Sequence, residues 1–150
     1  MNRVSSATQL FLDGCACSQA ILSVYGCPLG LPRDTALRIA AGFAGGMRLG
    51  ETCGAVAGAF MVLGLRHASD TCDTAKGRFD VYKRITEFAE RFKRLNGTVT
   101  CRELLGCDIS TPEGLKQAQE QNLFKTTCVK IIEDAAGILE AFESESQPVI

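Results

Sequence analysis

A chain of 150 residues, 46% hydrophobic and 22% charged, has the composition of a soluble globule and is long enough to bury one core. A net charge of −1 supplies no global field for nucleic acid. The longest apolar run, Cys53 to Leu65, is 13 residues against the ~20 that span a bilayer, and no signal-type apolar region opens the chain, so the expectation is a cytoplasmic protein without membrane insertion.

Residues 4–25 read as a first helix, because Leu10, Gly14, Cys17, Ile21 and Val24 follow the rhythm of a buried stripe. Cys17 lies on that stripe. Cys15 sits roughly 200° around the helix, so a regular helix cannot turn both to one site. Gly26-Cys27-Pro28 and Gly30-Leu31-Pro32 end the helix in a turn. Asp34 starts a second helix over Thr35 to Ala44, with Leu37, Ile39, Ala40 and Phe43 apolar. The stretch up to Gly50 is a glycine-rich turn, where backbone freedom outweighs side chains. Thr52 reads as the N-cap of a third helix to about Arg66, which places Cys53 in its first turn. Gly50, Gly54 and Gly58 recur every four residues and so line one face. Each interior glycine costs about 1 kcal/mol relative to alanine. A neighbouring helix, or a bound group, approaching the bare face closely would offset that cost.

Residues 68–73 form a polar loop with Cys72, and residues 74–95 the clearest helix. Its stripe is Val81, Ile85, Phe88, Phe92 and Leu95, and Asn96-Gly97 stops it. Thr100 and Glu103 fit a capping box for a short helix over Cys101 to Leu105. Ser110 and Glu113 fit a second box, with Pro112 in the first turn of a helix carrying Leu115, Ala118 and Leu123. Thr127 caps a last helix from Cys128 to about Phe142, with Cys128, Ile132, Ala135, Leu139 and Phe142 inward. Residues 144–150 read as a flexible tail after a single domain of residues 1–143. Lys76 to Arg102 holds eight basic and three acidic residues, and Glu103 onward nine acidic and three basic. We read these as solvated faces first and as a partner-docking or dimerising asymmetry second. No period-2 strand occurs. The expected fold is all-α, a compact bundle of about five long helices plus short ones, with no sheet.

Eight cysteines are many for a reducing cytosol, where they point to metal binding or redox chemistry, with inert buried thiols as the plain alternative. Thr52-Cys53, Thr100-Cys101 and Thr127-Cys128 each place a cysteine beside a predicted N-cap. Helix N-termini favour thiolate, the form that attacks disulfides and ligates metals. Adding Cys17 from the first stripe brings four thiols from four helices, a set that suits an iron–sulfur cluster or a structural zinc. No C-x-x-C occurs, which removes zinc ribbons, thioredoxin motifs and c-type haem attachment. The glycine turn is neither a dinucleotide fingerprint nor a Walker loop. The lone His67 reads as a surface or helix-ending residue.

At these residues the chain resembles the C_GCAxxG_C_C family of small redox-active proteins. The motif is Cys53-Gly54-Ala55-Val56-Ala57-Gly58, preceded by Gly45-Gly46-Met47-Arg48-Leu49-Gly50-Glu51-Thr52 and followed by Val62-Leu63-Gly64-Leu65. Phe11-x-x-Gly14-x-x-Cys17-Ser18-Gln19-Ala20 is similar to the family's first cysteine segment, Cys101-Arg102-Glu103-Leu104-Leu105-Gly106 to its third, and Cys128 to its fourth. The resemblance implies that Cys17, Cys53, Cys101 and Cys128 are the functional set and Cys15, Cys27, Cys72 and Cys107 are extras. It also implies a relation to the iron–sulfur part of split-Soret cytochrome c, without its haem half.

Three functions are therefore expected in competition. The first is an iron–sulfur protein for electron transfer or redox sensing with a partner protein, its cluster held by Cys17, Cys53, Cys101 and Cys128 beside Gly54 and Gly58. The second is a thiol–disulfide protein with Cys53 as the low-pKa nucleophile. The third is a non-catalytic interaction module with structural zinc.

Overall fold

The first predicted helix is two helices. The computed structural model describes residues 1–146, and α1 (Arg3–Leu12) stops before α2 (Cys17–Gly26) begins. Gly14 takes φ +118°, a conformation an L side chain rarely adopts, and Ala16 is extended. The Cys15 N–H turns back to the Leu10 carbonyl at 3.0 Å, and the Ala16 N–H donates to Gln19 Oε1 at 2.9 Å. The buried stripe runs through both halves, which is why periodicity alone joined them. The break moves Cys17 from mid-helix to the first residue of α2.

The remaining helices are α3 (Arg33–Ala40), α4 (Gly54–His67), α5 (Phe79–Asn96), α6 (Cys101–Leu105), α7 (Pro112–Glu120) and α8 (Thr127–Ser146). Among the described residues there is no strand; one isolated antiparallel bridge joins Thr52 to Thr100. The chain is all-α, as expected. None of these helices is long and apolar enough to cross a membrane.

Several boundaries differ from the sequence reading. Helix α3 ends at Ala40 and tightens into a 3-10 turn over Ala41–Phe43. Cys53 itself is the N-cap of α4, because Thr52 is held extended in the bridge. Thr100 caps α6 without a side-chain bond, so the Thr100–Glu103 box does not form. Thr111, not Ser110, caps α7, accepting the Gly114 N–H at 3.0 Å. Thr127 lies inside α8 rather than ahead of it. That helix continues to Ser146, so residues 144–146 of the expected tail are helical; residues 147–150 lie outside the described residues. Leu95, expected on the inner stripe of α5, is exposed.

Helix α2 lies at the centre. Ile21, Leu22 and Tyr25 pack with Val56, Val62 and Leu63 of α4, Phe88 and Phe92 of α5, and Ile132, Leu139 and Phe142 of α8. Phe88 stacks on Phe92 and meets Phe60 and Phe142 edge-on, each pair adding about 0.5–1.5 kcal/mol beyond area burial. The bare face of α4 explains its glycines. A Cβ on Gly58 would lie 3.0 Å from the Ser18 carbonyl and 3.2 Å from Ile21 Cβ, so α2 fits against α4 only where side chains are missing. At the far end Arg3 of α1 pairs with Glu140 and Glu143 of α8, and Glu143 also takes Arg66 of α4. A second, smaller apolar lobe forms around α6, α7 and the start of α8, from Cys101, Leu105, Cys107, Ile109 and Ala118, with Leu115, Leu123, Phe124 and Cys128 packed on it.

Candidate functional site

The two lobes meet at the bridge. The Cys53 N–H donates to the Val99 carbonyl at 2.8 Å, and the Cys101 N–H to the Glu51 carbonyl at 2.6 Å. Cys53 and Cys101 therefore each follow the bridge directly, one entering α4 and the other α6. Arg102 and Glu51 pair across the same bridge at 3.2 Å, but about half exposed, so their ion pair contributes at most ~1 kcal/mol.

The glycine-rich turn wraps the site in an unusual backbone. Gly45, Gly46, Met47 and Arg48 all take positive φ, 59–65°, and Gly50 follows at 70°. Left-handed geometry costs a non-glycine residue roughly 1–2 kcal/mol, so Met47 and Arg48 are strained. Gly46 is obligatory: a Cβ there would lie 2.3 Å from the Glu51 nitrogen, whose N–H closes the turn on the Gly46 carbonyl at 3.1 Å. The turn carries the Gly45 N–H to the Cys17 sulfur.

Cys17 Sγ lies at the start of α4, beside Cys53. Gly54 makes this possible, since a Cβ on it would stand 2.5 Å from Cys17 Sγ. The Cys53 thiol donates to Cys17 and, with the N–H groups of Gly45 and Ser18, outweighs burial to draw Cys17 down to about 7. Cys53 moves the other way, well above an ordinary thiol, because it supplies that proton and is buried. The pair thus loses its first proton easily and holds its second tightly. Both directions run against Cys53 as the low-pKa thiol, with Cys17 the member drawn down. As a residue Cys17 is half-buried where Cys53 is 6% exposed, but both sulfurs are enclosed.

All four expected thiols lie at helix starts, one more than the threonine contexts indicated. Cys17 opens α2, Cys53 caps α4, Cys101 opens α6 and Cys128 is the second residue of α8. The expected acidifying effect of helix ends does not prevail at Cys101 and Cys128. Burial, reinforced by charge on Cys17, pushes Cys101 up to about 11 and Cys128 up to about 12. A five-residue helix offers little dipole, and an apolar lobe disfavours thiolate more than the dipole favours it.

Among the described residues no three His, Cys, Asp or Glu side chains are grouped as a single metal ion requires. All eight cysteines are free thiols. Gly54 touches the thiol site directly, whereas Gly58 serves the packing of α2 on α4. His67 is remote from the thiols. It ends α4, its Nε2 is buried without a partner, and burial followed by Arg84 and Arg66 lowers its pKa. Cys15 and Cys27 are half-buried and Cys72 is exposed, while Cys107 is buried in the lobe of Cys101 and Cys128. The resemblance set Cys107 among the extras; it follows Gly106, which turns the chain back after α6 at φ +71°.

No curated protein and no solved structure matches the chain significantly. A family model described as "Putative redox-active protein (C_GCAxxG_C_C)" matches residues 15–142, a span that holds the bridge, the left-handed turn and both thiol lobes. With the match covering most of its length, this chain belongs to the C_GCAxxG_C_C family of redox-active proteins.

Proposed function

We propose that Cys17 and Cys53 are a thiol–disulfide redox couple. The carrying observation is that Cys17 Sγ lies at the start of α4 beside Cys53, with Cys17 drawn down to about 7 and Cys53 buried and proton-holding. The Cys17 thiolate attacks one sulfur of a partner's disulfide, forming a mixed disulfide and releasing the first partner thiolate. Cys53 then gives up its proton and attacks the Cys17 sulfur, releasing the second partner thiol. The partner disulfide gains two electrons, and Cys17 and Cys53 lose two in forming one S–S bond. The substrate class is a disulfide, on a protein or small thiol compound of a reducing compartment.

The test is equilibration of the metal-free, reduced protein with glutathione buffers of graded potential, followed by alkylation and peptide mapping. A Cys17–Cys53 disulfide forming with a two-electron midpoint supports the couple. In Cys53→Ser the reaction should stop at a glutathione adduct on Cys17. Oxidation that leaves both thiols free under strongly oxidising buffer refutes it.

A second reading is favoured by a different observation: four thiols at helix starts around one junction, with the N–H groups of Gly45, Ala55 and Val56 directed at two of the sulfurs. Cys17, Cys53, Cys101 and Cys128 would hold an iron–sulfur cluster, which supplies one-electron transfer when bound. Their donor chemistry suits such a cluster, and a cluster would require Cys101 and Cys128 to draw in toward the Cys17–Cys53 pair. Metal content of protein purified without oxygen separates the readings. Stoichiometric iron, lost in Cys101→Ser, would favour the cluster. Zinc would favour a structural site in an interaction module.

A further inference from the structure

The basic and acidic parts of the chain meet in one surface groove. It runs between the second half of α5 and the middle of α8, which lie antiparallel, since Arg91 reaches Glu145 at 2.8 Å and Asn96 reaches Asp134 at 3.1 Å. The α5 wall is basic, with Arg91 and Arg94, and the α8 wall is acidic, with Glu133 and Asp134. Gly137, Ile138 and Ala141 make an apolar floor, and Leu95, 55% exposed, lines the groove above it. Gly137 keeps the floor low: it is exposed in mid-helix, and a Cβ there would meet nothing within 4 Å.

Two charges on these walls stand unpaired. Arg91 is held by Glu87 and Glu145, and Asp134 by Lys130. Arg94 and Glu133 are exposed, and among the described residues neither has an ion-pair partner. A partner of one charge sign would be repelled by one wall. A second copy of this chain matches both, because a two-fold contact presents the same surface from each side. A two-fold axis along the groove lays α8 of each copy over α5 of the other and keeps every residue at its own level. Arg94 is two residues, about 3 Å of rise, from Asn96, and Glu133 adjoins the Asp134 that Asn96 reaches, so Arg94 and the partner's Glu133 come within side-chain reach. Leu95 then faces the partner's Gly137 floor.

We propose that the α5–α8 groove is a self-association face, on which two copies of the chain dimerise about a two-fold axis along the groove, Arg94 of each against Glu133 of the other. Symmetry closes the charge pair twice. The contact also covers Leu95, the apolar residue that the α5 stripe carries out of the core. It extends over about two to three turns of α8, a contact smaller than the ~1,600 Å² of a standard interface, so the dimer is reversible and dissociates in the micromolar range. Thiol chemistry plays no part in it, so its failure leaves the Cys17–Cys53 reading untouched.

The experiment is sedimentation velocity of the full chain from low micromolar to near-millimolar concentration. Reductant and chelator are present, so no intermolecular disulfide or metal bridge forms. The wild-type chain should show a reversible monomer–dimer equilibrium. Arg94→Glu and Glu133→Arg each set like charges opposite one another twice and should weaken association by about 10-fold or more, while the two together restore the pairing and should recover it to within about 3-fold of wild type. Both positions are exposed and unpaired within the chain, so the monomer fold should survive, which helical circular dichroism verifies. A wild-type chain that stays monomeric across the range overturns the proposal. So does a dimer that neither single reversal weakens, which places the interface on another face, and so does a combined variant that associates no better than the singles.

Discussion

Gly54→Ala tests whether the Cys17–Cys53 pair owes its chemistry to the missing side chain. The new methyl carbon would lie 2.5 Å from Cys17 Sγ, 3.0 Å from the Phe43 carbonyl oxygen and 3.2 Å from Ala44 Cα. Ordinary contact begins near 3.5 Å, so the sulfur must retreat by roughly 1 Å. Alanine gains up to about 1 kcal/mol in helix propensity, and overpacking costs about 1–3 kcal/mol, so the net effect on stability is a loss of up to ~3 kcal/mol. The larger effect falls on titration. Moving the Cys17 sulfur away from α4 weakens the bonds from Cys53 and Gly45 that draw it to about 7, and its pKa should climb toward the ordinary 9.0. Two pKa units lower the thiolate fraction ~100-fold at pH values below both. The more basic thiolate is intrinsically about 10-fold more nucleophilic, which leaves a net slowing of about 10-fold. The assay is iodoacetamide labelling between pH 5 and 10, followed on the Cys17 peptide. Stability should be measured in parallel with and without Cys17→Ala, which removes the nearest clash. A Cys17 labelling midpoint still near 7 in Gly54→Ala, or a stability cost unchanged by Cys17→Ala, would refute the reasoning.

Other outcomes follow from the same geometry. Cys101 and Cys128 titrate near 11 and 12 in the fold against 9.0 for a free thiol, so between pH 9 and 11 the unfolded chain loses protons that the native chain keeps. Stability should fall with rising pH there, by up to ~1.4 kcal/mol per pH unit for each thiol, and denaturant midpoints of Cys128→Ala should fall less steeply. Gly46→Ala forces a methyl onto the Glu51 backbone at 2.3 Å with φ +64°, and should cost more than about 2 kcal/mol. Gly64→Ala, inside α4 with nothing within 4 Å, should instead stabilise by up to about 1 kcal/mol. Equilibrium urea unfolding distinguishes the two. Phe88→Ala, which empties the centre of the aromatic cluster, should cost about 3–5 kcal/mol with little change in Cys17 labelling, because the cluster is built on α4, α5 and α8 away from the bridge.

The helical class, the inward faces of α5 and α8 and the stop at Gly97 were legible in sequence because they depend on neighbours three or four residues away. Val81, Phe88 and Phe92 are buried as their spacing requires, as are Ile132, Ala135, Leu139 and Phe142. The close approach of a partner to Gly54 and Gly58 was legible for the same reason: bare positions on one face invite contact. The identity of that partner was not, because α2 is joined to α4 by nearly thirty residues of chain that carry no trace of which helix returns where.

Four thiols could be singled out from local context, and each lies at a helix start, yet the environment of each could not be read there. Whether Cys17 sits mid-helix or at a helix start was decided by one backbone angle at Gly14, which periodicity does not register. Whether Cys53 or Cys17 carries the charge was decided by which sulfur donates and which receives N–H groups from Gly45 and Ser18, one of them on a left-handed turn folded over from elsewhere. At Cys101 and Cys128 the local preference for thiolate was overruled by burial in the lobe that also holds Cys107. Sequence determines the propensities that act along the chain, over one or two turns. Desolvation and proton sharing act through space, between atoms that only the tertiary fold brings together, and here they are the stronger forces.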